Sequence, residues 1–121
     1  MATFSKVTLS GSTNGRQIKV AQTATPGTTI HATGTSSSII DEVWLYAYND
    51  HTADVLLTIE FGSTSNPDDL IRQTITTRAG EFLVVAGLPL TGTGAAANTI
   101  RAFAATANVV MISGYVNRIT P

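Results

Sequence analysis

Residues 41–62 constrain this chain more than any other stretch. They read Asp-Glu-Val-Trp-Leu-Tyr-Ala-Tyr-Asn-Asp, then His-Thr-Ala, then Asp-Val-Leu-Leu-Thr-Ile-Glu-Phe-Gly. In the first part Trp44, Tyr46 and Tyr48 alternate with Val43, Leu45 and Ala47, the period of two that a strand requires. In the second, Val55, Leu57, Ile59 and Phe61 share one face, and Leu56, Thr58 and Glu60 share the other. The intervening residues 49–53 are short and polar, which predicts an antiparallel hairpin. Val43, Leu45 and Ala47 would join the Val55 set on the core side. Trp44, Tyr46 and Tyr48 are then left as an aromatic stripe where a wet sheet face normally carries polar groups.

The remaining chain repeats this grammar. Residues 4–10 and 17–24 read as strands around the turn signal Asn14-Gly15, whose two residues tolerate positive φ. A short strand at 28–32 follows the turn Thr25-Pro26-Gly27, and residues 33–38 form a small-residue loop. Asn66-Pro67-Asp68-Asp69 has the form of a helix start and predicts one helical turn. Residues 70–77 and 81–86 predict a hairpin about Arg78-Ala79-Gly80, and residues 87–98 a loop rich in Pro, Gly and Ala. Residues 99–106 and 109–119 predict a last hairpin about Ala107-Asn108. Eight or nine short strands without a convincing helix call for one all-β domain over residues 1–121: an antiparallel β-sandwich, jelly-roll-like.

Composition narrows the partners. Only 12% of the 121 residues are charged, against about a quarter in an average soluble domain. Seven basic residues are scattered among eight acids, so no phosphate-binding track is expected and no nucleic-acid partner. The absence of cysteine excludes disulfides, thiolate metal sites and thiol nucleophiles. The opening Met-Ala-Thr-Phe-Ser-Lys has no apolar signal region and no run reaches membrane-spanning length. The expectation is synthesis and folding in a cytoplasm, with no membrane partner.

The ends of the chain carry a resemblance. Leu9-Ser10-Gly11-Ser12-Thr13-Asn14-Gly15-Arg16, Asp41-Glu42-Val43-Trp44-Leu45-Tyr46-Ala47 and the close Gly114-Tyr115-Val116-Asn117-Arg118-Ile119 resemble small virion structural proteins of tailed bacteriophages. The resemblance implies a non-enzymatic β-sandwich that coats a capsid as a decoration (cement) protein. Its partners would be the major capsid protein or another virion protein, and further copies of itself. It would reside on the capsid surface of a virion assembled in the host cytoplasm. A tail or fibre-attachment component is the alternative it implies. From the residues themselves, a carbohydrate-binding sandwich used in host attachment is the other.

Motifs with chemical meaning are few. Gly92-Thr93-Gly94-Ala95-Ala96-Ala97 matches a dinucleotide fingerprint in letters, but no acid follows Glu81, so a loop is expected and no cofactor. His31 is expected as a half-buried strand residue and His51 as a solvated turn residue. No sequence signature joins either to a nucleophile. Asp50 with Asp54, and Asp68 with Asp69, could offer oxygens to a cation but lack EF-hand spacing, so turn and capping roles are expected and no metal site. Glu60 is expected to pair with a basic residue across the sheet.

Arg101 and Arg118 are nearly equidistant from the expected last turn, which would bring them close. A plain solvated face is the first expectation, and an ion pair with Glu81 or Glu42, within the chain or from a neighbour, the second. For Trp44, Tyr46 and Tyr48, packing beneath loops such as residues 23–38 is the first expectation, a protein interface the second and a sugar-stacking platform the third. The candidate interface set is Trp44, Tyr46, Tyr48, Leu88, Leu90, Arg101 and Arg118.

Overall fold

The computed structural model describes residues 2–121 and contains nine strands. These are β1 (Thr3–Thr8), β2 (Ile18–Lys19), β3 (Thr28–Ala32), β4 (Ile40–Asn49), β5 (Val55–Gly62), β6 (Leu70–Ile75), β7 (Phe82–Thr91), β8 (Thr99–Ala104) and β9 (Val110–Thr120). They form two antiparallel sheets of a β-sandwich. Sheet A runs β1-β9-β4-β7, with β2 also on β9, and sheet B runs β3-β8-β5-β6. No described helix is long and apolar enough to cross a membrane.

The core is the interleaved inner faces. From sheet A come Val43, Leu45, Ala47, Val110, Ile112 and Val116, and from sheet B Leu57, Ile59, Ile75, Ile100 and Ala102, all essentially dry. The period-two reading of β4 and β5 therefore chose the right inward residues. Their pairing is different from expectation. Strand β4 lies between β9 and β7, while β5 lies between β8 and β6, so residues 49–53 arch from one sheet to the other. Asn49 holds that arch. Its buried amide donates to the Ala53 and Ile75 carbonyls, at 2.9 Å each, and its oxygen accepts the His51 N–H at 2.8 Å.

The other two expected hairpins are arches as well. Strand β6 is in sheet B and β7 in sheet A, and β8 and β9 are likewise divided. Among the described residues only β5 and β6, joined through residues 63–69, are consecutive and paired. Residues 66–69 there form a turn, with Asp69 N–H donating to the Ser65 carbonyl, rather than a helical turn. The expected strand at 17–24 shortens to Ile18–Lys19, and the expected loop at 87–98 gives up residues 87–91 to β7. Asn14 and Gly15 adopt the positive φ expected of their turn, at 55° and 80°.

Candidate functional site

Alternation in β4 points Asp41 and Asn49 inward at the two ends of the apolar run. Asp41 is 1% exposed and pairs directly across the ladder with Arg118 of β9. Arg118 Nε donates to Asp41 Oδ1 at 2.8 Å and Nη2 to Oδ2 at 3.0 Å, a bidentate fork. His31 arrives from the opposite sheet. A bulge in β3 between Thr29 and His31 turns both Ile30 and His31 inward, and the ring bonds Asp41 Oδ2 at 2.8 Å.

The tautomer follows from the neighbours. His31 Nδ1 accepts the Ser10 amide at 3.0 Å, so it carries no hydrogen and Nε2 donates to Asp41. Burial by itself would raise the Asp41 pKa. The Arg118 and His31 hydrogen bonds and the Arg118 charge outweigh it, and the carboxyl sits below 3.8. Arg118 is raised, first by the hydrogen bond to Asp41.

Ser, His and Asp thus meet in space, but not as a nucleophile and its base. Only the backbone of Ser10 touches His31, and its hydroxyl accepts the Ala32 N–H at 2.8 Å. The set is a pin between sheets. The sequence places Arg118 close to Arg101, on a solvated face or sharing Glu81 or Glu42; instead Arg118 is in sheet A on Asp41, and Arg101 is in sheet B. Asp41 itself was missed, although the alternation that put Val43 inward demanded a buried acid two residues earlier.

The second buried acid is Glu60, on the outward face of sheet B. Arg101 stands opposite it in register, yet the carboxylate binds the Thr25 hydroxyl at 2.5 Å and the Gly27 N–H at 2.7 Å. Gln22 O accepts Ala104 N–H, and Thr28 pairs with Ala102. Between those anchors the residues 23–27 bow over sheet B and close on Glu60. The expected cross-sheet ion pair is replaced by this latch.

Trp44, Tyr46 and Tyr48 lie on the outward face of sheet A, half-buried, and not under residues 23–38 of the loop that serves sheet B. Trp44 stacks at 15° on Tyr115 of β9 with centroids 6.4 Å apart, and Lys6 Nζ stands 4.6 Å from the Tyr115 ring centre. These groups form a belt across β1, β9 and β4. Glu42 Oε1 accepts both Trp44 Nε1–H at 2.9 Å and Asn117 Nδ2–H at 3.0 Å. The Asn117 and Trp44 hydrogen bonds hold the Glu42 pKa below its usual value.

The belt is built around missing side chains. A Cβ on Gly87 would come 2.9 Å from the indole, and one on Gly114 would come 2.0 Å from the Trp44 carbonyl oxygen. Leu88 of β7 is exposed, whereas Leu90 packs against the core at the sheet's end. The candidate interface set is therefore divided. The three aromatic residues share a face with Tyr115; Leu88 is at the β7 margin; Leu90 and Arg118 face inward; Arg101 belongs to the other sheet.

The remaining candidates take structural roles. Asp54 accepts the Thr77 N–H at 3.1 Å, Asp69 that of Ser65 at 3.1 Å, and Asp50 lies 3.5 Å from Arg78 Nε. No group of three His, Cys, Asp or Glu that could hold a metal occurs among the described residues. Residues 92–97 form a turn in which Thr93 Oγ1 accepts the Ala95 and Ala96 amides. An open cleft of about 670 Å³ beside β2 is lined by Arg16, Lys19, Thr13 and Met111, among others. No protein-family model matches this chain, and no curated protein matches it.

Proposed function

We propose that this chain is a non-enzymatic structural protein that docks onto an assembled protein shell and reinforces it, as a decoration or cement subunit on a virion surface. The observation that carries the reading is the outward face of sheet A. It holds Trp44, Tyr46, Tyr48 and Tyr115 half-exposed, with the indole N–H already satisfied by Glu42. An aromatic side chain whose polar atom is already paired, as Trp44 is with Glu42 and Tyr48 with Asp50, loses little on desolvation, which is what a protein contact requires.

The acids and the histidine that could do chemistry are committed elsewhere. Asp41, His31 and Arg118 bind one another, and Glu60 binds its loop. The way the chain alternates between the two sheets supports a jelly-roll reading, an architecture suited to shells. The virion assignment rests on the resemblance of residues 9–16, 41–47 and 114–119 to phage structural proteins. Modest contacts per subunit would sum over a lattice, gaining a factor of about 10²–10⁴ in avidity.

The test is to mix purified protein with undecorated capsid shells. Co-sedimentation and a raised shell melting temperature are the expected results; neither occurring overturns the reading. A glycan-binding role in host attachment is the second reading, favoured by the Trp44–Tyr115 pair beside Glu42 and Asn117. A glycan-array signal lost in Trp44→Ala would support it over the first.

A further inference from the structure

The outward face of sheet A is electrically lopsided. On its β1, β2 and β9 side stand Lys6 and Lys19, with Arg16 just ahead of β2, and these strands contribute no acid of their own. On its β4 and β7 side stand Glu42, Glu81 at the margin and Asp50 at the end of β4, and the one base there, Arg78 just ahead of β7, is paired with Asp50. Glu81 reaches across this face to accept the Ser113 hydroxyl of β9 at 2.8 Å.

The register places these charges in rows. Lys19 is opposite Met111, and Met111 is opposite Tyr48. Since Ala47 is opposite Phe82, Glu81 follows next to Tyr48 at the far end of the same row. Lys19 and Glu81 thus mark opposite margins at one level along the strands, and both are exposed.

We propose that the occupant of this face is a second copy of the chain, docked face to face about a two-fold axis parallel to the strands. It rests on reading the face as a protein-contact surface, and it names the partner. Such an axis exchanges the two halves, so the cationic margin of each copy lies over the acidic margin of the other. A two-fold axis running across the strands would instead lay like charges on one another, which disfavours it.

The same operation sets β4 of one copy over β9 of the other. Trp44 of one copy then meets Tyr115 of its partner, and Tyr48 meets Met111. Four strands about 4.8 Å apart and roughly 30 Å long give each copy a footprint of roughly 550 Å², so the pair just clears the roughly 1,000 Å² total that is the lower bound for a specific interface. Glu42 enters the contact with its donors already in place, which lowers its desolvation penalty.

The experiment is sedimentation of the full chain from 1 to 100 μM on the order-of-magnitude affinity scale of ordinary contacts, in low and high salt. A dimer is expected, weakened about tenfold by Lys19→Glu or by Glu81→Lys alone and restored by the double swap. Both sites are exposed, so folding is checked simply by unchanged circular dichroism. A monomer throughout, or a dimer indifferent to the single swaps, overturns the proposal. Shell co-sedimentation run on the same variants separates the two readings. A monomer that still binds shells removes only the dimer, and a dimer that ignores shells removes only the shell-binding role.

Discussion

Both sheets carry an acid on the outward side of a central strand, Glu42 on β4 and Glu60 on β5, and the two acids are used in opposite ways. On sheet B, Glu60 takes its hydrogen bonds from Thr25 and Gly27, so the chain folds back over the strand and the carboxylate is dry. On sheet A, Glu42 takes its bonds from Trp44 and Asn117 of the same surface, so it stiffens the face without covering it. The difference is one of loop supply. Residues 22–27 lie beside sheet B, whereas β1 and β2 are both spent as neighbours of β9 and leave no described segment to cross sheet A. A face that its own chain closes contributes to stability; one that it polishes and leaves open is available to another molecule.

The largest test concerns the pin shared by both sheets. Asp41→Ala leaves Arg118 and His31 without their acceptor and is expected to lower unfolding free energy by about 3–4 kcal/mol in urea titration. The pin also fixes an acid response. The folded Asp41 pKa is depressed below 3.8, so its contribution is complete above the unfolded value and is lost as pH falls through the folded one. Stability of the native protein should therefore fall below about pH 4 more steeply than that of Asp41→Asn, measured by urea midpoints from pH 7 to 2.

Next in size is the latch. Glu60→Ala strands the Gly27 N–H and the Thr25 hydroxyl and should remove about 2 kcal/mol, with faster amide exchange confined to residues 23–27. If that variant is as stable as the native protein, the claim that sheet B is closed by its own loop fails. Gly87→Ala should lose about 1–2 kcal/mol, because the new methyl meets the indole at a positive φ of 71°.

Trp44→Ala gives the sharpest contrast between the faces. A core tryptophan would forfeit about 3–5 kcal/mol, but one on an open face should forfeit about 1 kcal/mol while weakening association. A large loss with unchanged association would reverse the assignment of that face. Leu56→Ser, on the uncovered part of sheet B, should change stability by less than about 0.5 kcal/mol.

Period-two patterning was enough to name Val43, Leu45, Ala47, Val55, Leu57 and Ile59 as core, because burial of one strand face is written in every second residue. It could not name the strand partners. A short polar segment such as residues 49–53 closes a hairpin or bridges two sheets equally well, and the choice lies with Asn49, whose amide bonds Ile75 from a distant strand. The pin was half legible: inward alternation already implied a buried Asp41. Its partners were not, since the β3 bulge that turns His31 inward has no signature in Thr-Thr-Ile-His-Ala.

What the amino-acid order settles alone is the number of strands, the side each one buries and the shortage of charge that leaves surface fit for contact. Those properties are local, fixed by alternation and by side-chain chemistry within a few residues. Which sheet a strand joins, which acid is charged by a fork and which receives a loop, and which face remains open are decided in three dimensions. They depend on bonds between residues as far apart as Asp41 and Arg118, and no stretch of either strand encodes them separately.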